Sequence, residues 1–217
     1  MAAKLLWGTH ALWLVLPVCF ALALAEEGKQ LQLPKPQTDG GKPLMQVLGQ
    51  RKSTRSFSAK ELPAQELSNL LWAAFGVNRP ESGGRTAPSA MGWKEIDIYV
   101  ATAQGLYLFD PAAQALRLIL PEDIRAATGG QGFAAQAPVN LVYVADLSRM
   151  GRAANSDKDF YSAADTGFIS QNVYLYCASE GLATVVRGSI DRPALAKRMR
   201  LRQDQRIILA QSVGYPG

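Results

Sequence analysis

Gln50-Arg51-Lys52-Ser53-Thr54-Arg55-Ser56-Phe57 puts three cations and three hydroxyls into positions 51–56, just ahead of a segment with helical periodicity. Such a set suits phosphate. Forked guanidinium groups make charge-assisted hydrogen bonds to its oxygens, and small hydroxyls donate to the same oxygens or to neighbouring sugar alcohols. Arg51, Lys52, Ser53 and Arg55 are therefore candidate ligands. Taken alone, a run of this kind is more often a solvated basic turn, so its meaning depends on what surrounds it.

Pro63 and Glu66 open a helix in which Leu67, Leu70, Leu71, Ala74 and Phe75 recur at i, i+3, i+4, i+7 and i+8, and Gly76 stops it. A basic cluster held beside a buried helix is better placed to be a site than a loose tail. Residues 77–92 read as a loop containing Gly83-Gly84 and Arg85-Thr86-Ala87-Pro88-Ser89-Ala90. Three β-patterned runs follow, at 96–100, 106–109 and 116–120, separated by Gln104-Gly105 and Asp110-Pro111, and predict an antiparallel meander. Pro121-Glu122-Asp123 starts a short helix that Gly129-Gly130 ends. The almost wholly apolar run 139–145 suits a strand covered on both faces. A long helix is expected from about 160 to 179, its small residues Ala163, Ala164, Gly167 and Ser170 permitting close approach by another backbone or a flat ligand. Gly181 ends it and Thr184-Val185-Val186 makes a short strand. Asp191 and Pro193 cap and open a helix through Met199, and 206–213 is the last strand. The meander breaks a pure βαβ rhythm, so the fold class is α+β, a mostly antiparallel central sheet flanked by helices.

The 217 residues, 48% of them hydrophobic, suffice for one full core. Ahead of it, Lys4, an apolar run at 12–24 and Ala23-Leu24-Ala25 before Glu26-Glu27 have the order of a signal peptide over 1–25, too short in its apolar part for a spanning helix. Export to the periplasm or beyond is the expectation, with no membrane insertion after cleavage. Residues 26–43, rich in Pro, Gln and Gly, read as a flexible tether to a domain over 44–217. Cleavage would remove His10, the only histidine, and Cys19, one of two cysteines. The remaining chain can run neither a Ser-His-Asp nor a Cys-His mechanism and has no imidazole for a zinc site, so no metal is expected. Cys177, left alone, reads as a buried thiol. The net charge of +5 falls to +4 without Lys4, and its basic residues are scattered among acids, which argues against a nucleic-acid partner.

Four motifs then fall in a telling order: Arg51 to Arg55, Pro88-Ser89-Ala90, the run from Gly181 through Val185-Val186-Arg187-Gly188, and the closing Val213-Gly214-Tyr215-Pro216. Together they resemble the FMN-dependent nitroreductase family from Leu44 onward. Leu71-Trp72-Ala73-Ala74, Arg85-Thr86-Ala87-Pro88-Ser89-Ala90 and Gly105-Leu106-Tyr107-Leu108-Phe109 look more narrowly like its branch with the azoline-forming peptide dehydrogenases. The resemblance implies that Arg51, Lys52, Ser53 and Arg55 bind the FMN phosphate, ribityl chain and pyrimidine edge. It implies that Pro88, Ser89 and Ala90 reach the flavin of the other subunit in a homodimer. Val186, Arg187, Gly188 and Ser189 would lie beside the central ring, with a backbone N–H of Gly188 or Ser189 near N5, where a donor stabilises developing charge. No side chain is assigned a catalytic role. Met91 or Gly92 stands where the family often has asparagine, and with the sequence ending at Gly217 the phosphate charge would fall to Arg51, Lys52 and Arg55, with Arg187 as a fourth candidate. Gly129-Gly130-Gln131-Gly132 lacks the spacing of a dinucleotide fingerprint, so NAD(P)H is expected only as a transient electron donor. The function implied is hydride transfer between flavin and a small-molecule or peptide substrate. The alternative is a flavin-binding electron-transfer protein with no dedicated organic substrate.

Overall fold

The computed structural model describes residues 29–217, so the signal peptide read over 1–25 lies outside the described residues. In chain order the elements are β1 (Gln30–Gln32), α1 (Leu44–Gln50), α2 (Ala64–Phe75), β2 (Val77–Arg79), β3 (Gly84–Arg85), β4 (Ile96–Thr102), β5 (Gly105–Asp110) and β6 (Ala115–Leu120). Then come α3 (Phe133–Gln136), β7 (Val139–Asp146), α4 (Asn155–Glu180), β8 (Ala183–Arg187), α5 (Arg192–Arg198) and β9 (Gln205–Gly214). Seven strands form one sheet in the order β1-β6-β5-β4-β7-β9-β8, with every neighbouring pair antiparallel.

The two faces of this sheet are covered by different helices, and the strand alternation sorts the core accordingly. On one face Ile96, Ile98, Val100, Leu141 and Tyr143 pack against Leu70, Leu71 and Phe75 of α2 and Ile169, Val173 and Cys177 of α4. On the other, Tyr99, Ala101, Val142 and Val144 meet Leu195 and Met199 around α5. β7 is central and covered twice, so all eight of its residues are buried. This is why its sequence shows no alternation. Gly181 ends α4 in the left-handed conformation, φ 73°, which a side chain would resist.

Three expectations need correction. The stretch expected to be a tether, in its described part, belongs to the folded unit. β1 adds an edge strand in the register Gln30↔Arg117, Leu31↔Leu116 and Gln32↔Ala115, and Leu33 is buried. Beyond it the backbone is tied down by Gln65 Nε2 donating to Lys35 O at 2.9 Å, Gln37 N to Asn69 Oδ1 at 2.9 Å and Lys42 N to Ser179 Oγ at 2.9 Å. Backbone pairing needs no apolar periodicity, so the composition of the stretch conceals it. The turn after Pro121 is a short 3-10 segment, Arg125–Thr128, and α4 begins at Asn155 rather than near 160. Of the small residues in α4, Ala163 and Gly167 face outward, and a Cβ at Gly167 would meet open space.

Candidate functional site

The free edge of β8 is the place where the sequence motifs meet. Because β8 is the last strand of the sheet, only one side of its backbone is used by β9. Thr184 O accepts from Thr54 N at 2.9 Å, and Val186 N donates to Tyr174 Oη at 2.9 Å. Residues 184 and 186 therefore aim their backbone groups away from β9. No described residue accepts from the Gly188 or Ser189 N–H, while Gly188 O accepts from Arg192 Nη1 at 3.3 Å. The segment 51–56 thus covers the first half of this edge and leaves the second half open.

The cover is held at three points. Thr54 makes the backbone contact. Ser53 Oγ lies 2.8 Å from Tyr174 Oη, so the Tyr174 hydroxyl joins the basic segment, α4 and β8. Phe57 is buried, forms a bridge with Pro216 and stacks at a tilt against Phe133, 6.0 Å between centroids. Residues 51–56 are exposed or half-buried, and Arg51, Lys52 and Arg55 form no ion pair with any described residue. Arg51 lies over the Tyr174 ring at 5.3 Å. A cleft of about 530 Å³ opens beside them, lined by Lys42, Gln50, Lys52, Thr54, Tyr174 and Thr184 among others.

Arg187 is placed differently from what phosphate neutralisation requires. Its side chain lies on the sheet face turned away from α4 and is 4% exposed. There Nη1 donates to Thr128 O at 2.7 Å, and Nη2 donates to Thr128 Oγ1 at 3.1 Å and Asn140 Oδ1 at 2.8 Å. Asn140 Oδ1 also accepts from Ser212 Oγ at 2.6 Å, so the guanidinium closes a buried polar network. Burial without a counter-charge pushes its pKa down to about 10. A Cβ at Gly129 would fall 1.8 Å from Arg187 Nη1, so glycine is what lets the clamp close. The expectation that this guanidinium helps to neutralise a phosphate is corrected, because it is spent inside the fold. Its backbone remains on the β8 edge line with Val186 and Gly188.

Pro88, Ser89 and Ala90 are not brought to that edge within one chain. Ser89 Oγ accepts from Lys94 N at 2.8 Å and donates to Glu95 Oε2 at 3.3 Å, while Ala90 N donates to Asp165 Oδ2 at 2.9 Å. Asp165 precedes Tyr174 by nine residues on α4, about 14 Å along the axis. Pro88 is exposed and Met91 is 83% exposed. The sequence reading missed Tyr174, Glu95 and Asp165. A tyrosine on the apolar stripe of a helix reads as core, and carboxylates 70 residues apart carry no local signal.

The Nitroreductase family pattern matches residues 48–215. A nitroreductase-family protein of Methanocaldococcus jannaschii is 34% identical over 156 residues, 67% of this chain and 78% of that one. The crystal structure of a nitroreductase-family protein from Ralstonia eutropha superposes with a TM-score of 0.83 at 47% identity, over 87% of this chain and 90% of that one. The NADPH:FMN oxidoreductase of Vibrio harveyi, solved in complex with NAD+, shares the fold at 17% identity with a TM-score of 0.61, over 80% and 68% of the two chains. On the extent of the family match and the Ralstonia likeness, the chain belongs to the nitroreductase family.

Proposed function

We propose that this protein is an exported oxidoreductase that uses FMN to move a hydride to or from a small-molecule or peptide substrate. The nitroreductase family is generally one of flavin-dependent oxidoreductases. The observation that carries the finer reading is the set of three cations with no carboxylate partner among the described residues, strapped to a strand edge that still has N–H groups to give. That donor set fits FMN. Arg51, Lys52 and Arg55 would neutralise a dianionic phosphate, and the Ser53 hydroxyl would serve the phosphate or ribityl oxygens. The N–H groups of Gly188 and Ser189, which no described residue accepts, would face the ring near N5 and stabilise negative charge there. When bound, FMN supplies the hydride chemistry, and the protein supplies position and electrostatics. NAD(P)H would stack on the ring only transiently, and in an exported protein another donor would serve.

A homodimer completes this site in the proposal. The Pro88–Ala90 loop is held by α4 too far from its own basic segment, so a second copy would present its loop to the flavin. Exposed apolar residues support a partner copy: Leu44 and Met45 on α1 at 61% and 78%, and Phe160 on α4 at 67%. Export rests on the apolar run at 12–24 and Ala23-Leu24-Ala25. The test is the absorption spectrum of the purified protein, followed by FMN titration of the apoprotein. A colourless protein that takes up no added FMN overturns the reading. Mass spectrometry of the exported form, expected to begin at Glu26, checks the cleavage.

A further inference from the structure

Beneath the Pro88–Ala90 loop lies a pair of carboxylates that hydride transfer does not use. Glu95 is 0% exposed and Asp165 is 2% exposed. Each holds one end of the loop: Glu95 Oε2 takes the Ser89 hydroxyl and Asp165 Oδ2 takes the Ala90 N–H. Glu95 Oε1 has no hydrogen-bond donor among the described residues, which for a fully buried oxygen is costly unless it carries a proton and donates. Asp165, which holds the next residue of the same loop, is the neighbouring carboxylate. We propose that Glu95 and Asp165 form an acid–carboxylate latch, with the proton on Glu95, that pins the Pro88–Ala90 loop and releases it when that proton is lost.

Two independent features agree with the geometry. Burial, and then the neighbouring charge of Asp165, push the Glu95 pKa up from 4.5. The other charged groups around Glu95 do not supply a cation to it. Arg149, whose Nη1 donates to Lys94 O, forks onto Asp97 at 2.8 and 2.9 Å and reaches Asp146 at 3.4 Å, and Asp146 is also held by Arg202 at 2.9 Å. Lys94, next to Glu95 in sequence, forms no ion pair with a described residue, and a Cβ at Gly83 would sit 3.4 Å from its ammonium. With a raised folded pKa, the native state holds the proton to higher pH than the unfolded chain. The latch therefore contributes fully below pH 4.5 and is lost as pH rises through the folded pKa of Glu95.

The latch rests on burial and hydrogen bonding alone, while its effect on a flavin rests on the proposed function, and one experiment separates them. Hydrogen exchange at the Ala90 amide is followed against pH in the full chain and in Glu95→Gln, corrected for the intrinsic base dependence, with an infrared spectrum of each. Gln is neutral and can still accept from Ser89 and donate to Asp165. The native chain is expected to show a buried protonated-carboxyl band, absent in Glu95→Gln, and Ala90 protection that drops by about tenfold or more at high pH. Protection in Glu95→Gln should stay flat. If no such band exists, or if both proteins lose protection alike, the latch is overturned. Ser89→Ala, which keeps both carboxyl groups, should retain the band, and its loss there would also overturn the assignment. A pH-dependent latch with FMN affinity unmoved leaves the latch standing and removes the loop from the flavin site.

Discussion

The two sides of β8 use the same kind of residue in opposite ways. On its outer edge Arg51, Lys52 and Arg55 lie exposed or half-buried, and among the described residues they have no ion-pair partner and the backbone N–H groups beside them have no acceptor. On the face turned from α4, Arg187 is shut in with Thr128 and Asn140, and three hydrogen bonds of 2.7 to 3.1 Å absorb two of its nitrogens. A buried guanidinium bonded to neutral acceptors is a structural device, whereas adjacent exposed cations strapped into fixed positions repel one another until an anion arrives. The difference separates folding from binding, and it can be attacked residue by residue.

The largest effect expected is from Arg187→Ala. It strands Thr128 O, takes one donor from Asn140 Oδ1 and leaves a void in a closed network, so a loss of about 2–3 kcal/mol in unfolding free energy follows. Denaturant midpoints at constant slope measure it. A variant as stable as the parent but unable to keep FMN would reverse the assignment of the two sides.

Arg55→Ala should do the opposite. The side chain is exposed and has no ion-pair partner among the described residues, so the apoprotein should unfold at an unchanged midpoint. Removing one guanidinium from a phosphate should weaken FMN binding by roughly tenfold to a hundredfold, about 1–3 kcal/mol. Titration of the apo variant reads this directly, and added salt should narrow the gap between variant and parent. An Arg55→Ala protein that binds FMN as tightly as the parent returns the basic segment to a solvated turn.

Much of the fold was legible because its signals are local. The i, i+3, i+4 pattern of Leu67, Leu70 and Leu71 is α2, and the unbroken apolar run of β7 follows from its position between two helical layers. β1 was not legible, since Gln30-Leu31-Gln32 is short and pairs through its backbone, with Leu33 as its one buried anchor. In the site, the basic segment announced itself by composition. Nothing in the sequence shows that the Arg187 side chain is shut inside the fold, because the fate of that cation depends on acceptors that the fold brings from residues 128 and 140. Glu95 and Asp165 were invisible for the same reason.

The smallest effect concerns the joint between the basic segment and β8, Tyr174. Its oxygen accepts from Val186 N at 2.9 Å and lies 2.8 Å from Ser53 Oγ. With the Val186 N–H occupying one lone pair, the phenol's own hydrogen can go to Ser53, which frees the Ser53 hydrogen for a ligand oxygen. Tyr174→Phe keeps the ring under Arg51 and removes only that hydroxyl. It leaves the Val186 N–H unpaired at a half-buried edge and Ser53 without its support. A loss of about 1 kcal/mol in stability is expected, with FMN affinity weaker by about three- to tenfold, less than for Arg55→Ala. Pairing the variant with Ser53→Ala in a double-mutant cycle isolates the joint, because the second substitution should add little once the hydroxyl is gone. If the two losses simply add, Tyr174 does not act through Ser53. The basic segment is then fixed on β8 by the Thr54 to Thr184 hydrogen bond and the Phe57 anchor instead.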